Sequence, residues 1–312
     1  FKQRDLGKTL SLMVRGEQQS LADGKSRESG IQAARDVFYK GDPAQRMVRA
    51  LQDLGGLYTD DDFADYQSPD EEPISTTYRG YEIFTNRTWT QGVTLLQVLN
   101  ILEGFDLATL GHNSSRTIHL QVEALKLAFA DRERYIGDPD FVDVPVDELL
   151  SKDYAGLRRD LIDPNKAQAE YSPGDPRKMR AAAGDFQSKA STPASDPVSG
   201  DSDGTTYLAT ADAIGNLVSV TPSSFAGLTK GMIQSNTVIL INTRGCYFWL
   251  DPDNPNAIAP HKRPRTTPCT FIITRGGQPF MTLGTPGGDS QPQSNLQVLN
   301  NIIAVSYKHL RA

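Results

Sequence analysis

Asp201-Ser202-Asp203-Gly204-Thr205-Thr206-Tyr207-Leu208-Ala209-Thr210-Ala211-Asp212 is where the chain changes character. The residues up to Gly204 close a loose polar stretch, and Thr206 to Asp212 reads as a strand. A threonine hydroxyl is a poor nucleophile unless a base stands beside it. One solution makes the threonine a chain N-terminus, so that its own α-amine takes the proton. That amine titrates at about 7.7–8.0, close to operating pH. For Thr205 to work this way, the Gly204–Thr205 bond must break.

The surrounding chain is built for a globular protein. Its 312 residues suffice for one large domain or two ordinary ones, and 38% hydrophobic with 22% charged residues fits a folded, water-facing chain. A net charge of −6 gives no electrostatic footprint for nucleic acid or an anionic membrane. No apolar run approaches the roughly 20 residues that cross a bilayer. Two cysteines, Cys246 and Cys269, exclude a disulfide framework and a four-thiolate zinc site; they pair or stay free. Residue 1 is Phe and nothing after it resembles a signal peptide, so the chain reads as a fragment or a processed piece.

The first half reads mostly helical. Arg27 to Tyr39 carries Ile31, Ala34, Val37 and Phe38 at helical spacing; Ala44 to Leu54 carries Met47, Leu51 and Leu54. Asp60-Asp61-Asp62 offers a cap for a short helix through Tyr66. Thr76 to Phe84 reads as a hairpin turning at Arg79-Gly80. Val93 to Leu102 and Arg116 to Tyr135 follow as helices, the first with Leu95, Leu96, Leu99 and Leu102 on one face. From about Asp163 to Gly204, Pro, Ser, Gly, Asp and Ala dominate, as in a mobile linker. Beyond Thr205 the character is β: Leu217–Val220, Thr237–Ile241, Phe271–Ile273 and Phe280–Leu283, before a last helix from Gln293 to Val305. Asp212-Ala213-Ile214-Gly215-Asn216 reads as a hairpin turn.

These words, taken in order, resemble the γ-glutamyltranspeptidase family of N-terminal-nucleophile hydrolases. The resemblance rests on Thr205-Thr206, Asp212 to Asn216, Lys262-Arg263-Pro264 and Pro286-Gly287-Gly288 in the second half. In the first half it rests on Phe38-Tyr39-Lys40-Gly41, Gly55-Gly56-Leu57, Pro73-Ile74-Ser75, Tyr78-Arg79-Gly80-Tyr81, Leu99 to Glu103 and Gly137-Asp138-Pro139-Asp140-Phe141. The resemblance implies an α+β fold, the four-layer αββα sandwich of such hydrolases. It implies a proenzyme that cuts itself before Thr205. Residues 1–204 would then be the later part of a large subunit, ending in the linker, and 205–312 a small subunit that pairs with it. It further implies a small-molecule amide or peptide substrate, no cofactor or metal, and a periplasmic or extracellular site of action. Against that family the small piece looks short, the large piece lacks an N-terminal part that supplies a carboxylate-gripping Arg, and Ser306 to Ala312 reads as foreign sequence.

The resemblance also assigns roles. Thr205 would be the nucleophile, with its freed amine as base, and Gly204–Thr205 the cleavage site. Ser223 falls where the family has a hydroxyl that hydrogen-bonds the nucleophile; by itself it is a turn residue after Pro222. Gly287 and Gly288 would offer backbone N–H groups to an oxyanion, a task that suits glycine; by themselves they are a turn. Thr266 and Thr267 fall near a Ser pair that binds the α-carboxylate of γ-glutamyl substrates. His119 and Glu123, four apart on a helix, lack a third ligand and read as a surface pair.

The pattern departs from true γ-glutamyl transferases after the 238–242 stretch. Tyr247 stands where an Asp holds the substrate ammonium, Arg244 where a neutral amide is expected, and Phe225 where a pocket Asn is expected. Arg244 would repel an ammonium but pair with a carboxylate. Asn242-Thr243-Arg244-Gly245 and Gly288-Asp289-Ser290-Gln291-Pro292-Gln293 resemble a branch of the family labelled transpeptidase or cephalosporin acylase. The expectation is a self-processing amidohydrolase or acyltransferase acting on γ-glutamyl or related carboxylate-bearing acyl amides. The alternative is a relative that keeps the fold as a ligand-binding protein without catalysis.

Overall fold

A computed structural model describes residues 2–182, 204–225, 236–241 and 243–304. Half of the expected linker (183–203), Asn242, the side chain of Phe225 and the closing residues from Val305 lie outside the described part. The chain forms two compact units, Phe1–Asp70 with Ala226–Thr243, and Glu71–Phe225 with Arg244–Ala312. Each unit draws on residues from both sides of Gly204.

The first unit is helical: α1 (Arg4–Ala22), α2 (Arg27–Tyr39), α3 (Asp42–Asp53) and α4 (Asp60–Ala64). Helix α2 starts where Ser26 accepts a hydrogen bond from the Ser29 N–H. Helix α3 buries Ala44, Met47, Val48 and Leu51, the i, i+3, i+4, i+7 stripe of an amphipathic helix. The cap of α4 is Thr59 rather than the aspartates: its N–H and hydroxyl both donate to the Asp62 carboxylate, at 2.7 and 2.9 Å. Thr237 to Ile241 forms no strand among the described residues. Asn236 and Val238 both take φ of 55°, which breaks the extended run that β-branched residues suggest.

The second unit is built on one antiparallel sheet, ordered β1 (Ile74–Tyr78), β2 (Tyr81–Thr85), β7 (Thr270–Arg275) and β8 (Gln278–Gly284). Two hairpins make it. Arg79-Gly80 and Gly276-Gly277 both take positive φ at the two turn positions, as two-residue hairpin loops require. The β2–β7 ladder joins them, with Ile83 opposite Ile273 and Thr85 opposite Phe271. Helix α5 (Gly92–Leu102) is buried from end to end, so the expected one-sided stripe is exceeded. It packs against β1 and β2, and is flanked by α7 (Ser115–Tyr135), α9 (Lys152–Arg159) and α10 (Ser290–Leu299). Short helices α6 (Leu107–Leu110) and α8 (Val146–Leu149) complete the helical side. Leu95, Leu96, Leu99, Ile83, Phe271 and Leu296 share the resulting core. The last helix starts earlier than its sequence suggests and ends in a π turn at Asn300–Ala304.

The remaining strands are short: β3 (Gly204–Thr205) with β6 (Ser223–Phe225), and the hairpin β4 (Leu208–Ala211) with β5 (Leu217–Val220). The expected strand from Thr206 is thus interrupted before Leu208. The Asp212 carboxylate closes the hairpin by accepting from the N–H groups of Ile214 and Asn216, at 3.1 and 2.8 Å. Strand β5 lies against β7 and β8. The unit is therefore mixed helix and sheet, an α+β arrangement.

One buried charge organises the helical side. Asp131 on α7 is fully buried, and its carboxylate accepts from Gly174 N–H at 2.8 Å and Tyr154 hydroxyl at 3.0 Å, and from the Gln97 amide. Arg158, equally buried, completes the set at 3.2 Å. Removing one partner strands the other charge. Arg158→Leu is expected to lower unfolding free energy by about 3–5 kcal/mol, measured by denaturant titration; a loss below about 1 kcal/mol would contradict this account.

Candidate active site

The site grows from the two-residue ladder at Gly204–Thr205. Gly204 pairs with Phe225 and Thr205 with Ser223, so the register slips by one residue across this peptide. The pairing sets the Thr205 and Ser223 hydroxyl oxygens 2.8 Å apart, a hydrogen bond. The next residue is fixed by Thr206 N–H donating to the Pro222 carbonyl at 3.0 Å. The Tyr207 ring then packs against Gly284, where a Cβ would fall 2.4 Å from it. Only glycine allows that approach, and it sets the 205–207 segment beside the end of β8.

The chain leaves β8 through Thr285-Pro286 into Gly287 and Gly288, whose φ values of 121° and 55° both favour glycine. Ser290 grips the Gly287 carbonyl with its N–H at 2.9 Å and its hydroxyl at 2.6 Å. Among the described residues, neither the Gly287 nor the Gly288 N–H is donated to an internal acceptor. Two preset donors are therefore available to a negatively charged oxygen.

Arg244 and Tyr247 sit on a single 3₁₀ turn, Arg244–Tyr247. Asn256 steadies it by donating to the Tyr247 carbonyl and accepting from Arg265 N–H. Arg244 is only 8% exposed. Its guanidinium donates to Thr267 Oγ1 at 3.0 Å and to Ser223 Oγ, and lies 5.8 Å from the Tyr247 ring centre. Burial holds its pKa below the ordinary value, against the opposing pull of Tyr247 and Cys246. The Tyr247 hydroxyl reaches Thr267 Oγ1 at 3.5 Å, and burial raises its pKa. Thr205, Ser223, Arg244, Thr267 and Tyr247 thus form one connected group. Thr266 is not hydrogen-bonded into this group: its N–H donates to the Trp89 carbonyl at 2.8 Å, and its buried hydroxyl has no partner among the described residues.

Sequence reasoning passed over a second tier. Gln91 bridges the carbonyls of Thr267 and Gly288, and Arg132 holds Gln91 and Asp289. Nothing local in Trp89-Thr90-Gln91-Gly92 announces this, because every partner is distant in the chain. The two family words around Asp138 and Arg263 also meet: Arg263 pairs with Asp138 at 2.7 Å, Asp140 at 2.8 Å and Glu71 at 2.7 Å. Both cysteines are free thiols, Cys246 exposed and Cys269 buried. Glu123 accepts from the Tyr171 hydroxyl at 2.7 Å, and His119 Nε2 meets the Asp163 carbonyl. Among the described residues no group of three or more His, Cys, Asp or Glu is placed to hold a metal, and no helix is long and apolar enough to cross a membrane.

A model of the gamma-glutamyltranspeptidase family matches residues 1–312. The chain belongs to the gamma-glutamyltranspeptidase family. Among curated members, it is 34% identical to the glutathione hydrolase-like YwrD proenzyme of Bacillus subtilis, over 92% of this chain and 49% of that protein. It is 33% identical to the glutathione hydrolase proenzyme of Escherichia coli, over 89% of this chain and 47% of that protein. The solved cephalosporin acylase from Bacillus halodurans superposes with a TM-score of 0.73 at 33% identity, covering 89% of this chain and 46% of that one. The chain therefore spans about half the length of these family members.

The charges behind the Gly287-Gly288 turn are coupled. Burial alone would raise the Glu133 carboxyl, but the Arg265 and Arg132 guanidiniums outweigh it and bring it down to about 2. A carboxyl lowered in the folded state stabilises it above the unfolded value of about 4.3, and that contribution disappears as pH falls through the folded value. Glu133 keeps 41% of its side chain exposed, so solvent screening limits the contribution to roughly 1 kcal/mol. Glu133→Gln is expected to melt below the parent at neutral pH, with the gap closing as pH falls from about 4.3 toward about 2. A gap that stays constant over that range would refute the coupling.

Proposed function

We propose that this chain is part of a self-processing amidohydrolase or acyltransferase with Thr205 as its nucleophile. The observation that carries this is the 2.8 Å hydroxyl pair of Thr205 and Ser223, placed at a bulged peptide and held by Arg244. In the continuous chain the Thr205 nitrogen is an amide and has no basicity. The first step is therefore maturation. Thr205 Oγ attacks the Gly204 carbonyl, the C–N bond breaks, and the acyl group passes to oxygen as an ester. Water hydrolyses that ester, leaving a Gly204 carboxylate and a free Thr205 amine. The full protein would complete the αββα sandwich, of which this chain supplies about half.

In turnover the Thr205 amine accepts the hydroxyl proton while Oγ attacks the substrate amide carbonyl. The N–H groups of Gly287 and Gly288 would hold the tetrahedral oxyanion. The ammonium then protonates the leaving amine, and water or an acceptor amine resolves the ester. Ser223 orients the nucleophile. Arg244, with Thr267 and Tyr247 beside it, favours an acyl group that carries a carboxylate, because a guanidinium pairs with it in two-pronged fashion. The similarity to proteins named glutathione hydrolase and cephalosporin acylase supports this class of reaction.

The decisive experiment uses the full-length protein. Intact mass and N-terminal sequencing should give a new chain beginning Thr205-Thr206-Tyr207. Thr205→Ala should stay uncut and lose at least about 10³-fold in amide hydrolysis; retained turnover would overturn the assignment. An uncut parent that binds carboxylate ligands would favour the non-catalytic relative. For the acyl group, Arg244→Leu should raise KM for γ-glutamyl or glutaryl anilides by about tenfold or more relative to a neutral acyl anilide. Equal effects on both would remove Arg244 from carboxylate recognition.

A further inference from the structure

We infer that Gln91 is a positioning residue that locks the Gly287-Gly288 turn to the Thr267 segment, so that the N–H donors and Arg244's partner keep one spacing. This rests on the reading of Thr205 as nucleophile and of the glycine turn as its oxyanion site.

Gln91 ends the loop before α5, and Thr266 N–H donates to the carbonyl of nearby Trp89, which draws residues 89–91 beside 265–267. Its side chain is 1% exposed and fully engaged. The amide nitrogen donates to the Thr267 carbonyl at 2.7 Å and to the Gly288 carbonyl at 2.9 Å. The amide oxygen accepts from Arg132 Nη1 at 2.7 Å. Arginine has donors only and a carbonyl oxygen accepts only, so this carboxamide has one workable orientation. Turned over, it would set a donor against Arg132 and an acceptor against two carbonyls. Arg132 also holds both oxygens of Asp289, at 2.8 and 3.1 Å, so it grips the residue that follows the turn.

The glycine turn needs such a grip. Glycine admits almost any dihedral pair, so a free Gly-Gly segment would flip its peptides at little cost. The Gly287 carbonyl is held by Ser290, which aims the trans-related Gly288 N–H the opposite way. The Gly288 carbonyl is held by Gln91 and, at 3.2 Å, by Gln291 N–H. Both ends of Gly288 are then fixed before any substrate arrives, which is the condition under which oxyanion donors accelerate a reaction. The same carboxamide fixes the Thr267 main chain, whose hydroxyl meets Arg244. One planar group thus spans what would stabilise the oxyanion and what would grip the acyl carboxylate.

The test compares the full-length parent with Gln91→Met, which keeps volume and loses both donors, and Gln91→Asn, which keeps the amide one methylene short. Hydrogen exchange across residues 284–290 and steady-state kinetics are both read. Gln91→Met should speed exchange in that segment without speeding it in α7 and α9. It should lower kcat by about 10–100-fold and raise KM for a carboxylate-bearing anilide by less than the roughly tenfold expected for Arg244→Leu. Gln91→Asn should fall between, and decides the matter if the Met variant does not fold. Exchange unchanged in 284–290 would overturn the inference whether or not the protein is active. Faster exchange with a parent that neither cuts nor hydrolyses amides would leave the lock standing and remove the Thr205 reading. Faster exchange with unchanged kcat in an active, cut protein would overturn the positioning role.

Discussion

Two adjacent buried charges on α7 impose the constraint that the second unit is built around. Consecutive helical residues point about 100° apart, so Asp131 and Arg132 address different neighbourhoods from one turn. Asp131 gathers Tyr154 and Arg158 of α9, the Gln97 amide of α5 and the main chain at Gly174. Arg132 reaches instead to Gln91 and Asp289, and so to the glycine turn. A buried charge without partners costs several kcal/mol, so each must be met in full. Satisfying both places α5, α7, α9 and the start of α10 relative to one another.

The periodic elements were legible because their signal is local. Helix α2 occupies the Arg27–Tyr39 span that its apolar spacing gives, and the hairpin turns at Arg79-Gly80 as its residues suggest. Helix α1 escaped notice because its buried positions are few and polar, Thr9 and Ser20. Thr237 to Ile241 misled for the opposite reason: β-branched composition favours strands, but strand formation needs a partner and an extended backbone, and Val238 supplies neither signal of its own.

The candidate site divides along the same line. A hydroxyl at Thr205 and one at Ser223 were readable as words, and the fold brings them into contact. Arg244 and Tyr247 were readable too, as departures from what the family resemblance leads one to expect. What spacing could not reveal is that Arg244 touches Ser223 and Thr267 together, while the Thr266 hydroxyl makes no hydrogen bond among the described residues. Nor could it reveal Gln91 and Arg132, whose partners at the glycine turn lie far along the chain. Arg263 and Asp138 show the middle case, where both words were recognised and their pairing was not.

The β2–β7 ladder has a consequence for the life of the molecule. It joins residues before Gly204 to residues after it. In an unbroken chain that ladder forms as a unimolecular event, with a closure cost that grows only slowly with loop length. If the chain is cut at Gly204–Thr205 as proposed, the same ladder becomes an association between two polypeptides, governed by mass action. Dilution would then favour separation, and reassembly would become second order in protein. A matured molecule that unfolds at low concentration would lose its partner before it could refold. Its lifetime would be set by the height of the unfolding barrier more than by the depth of the folded state.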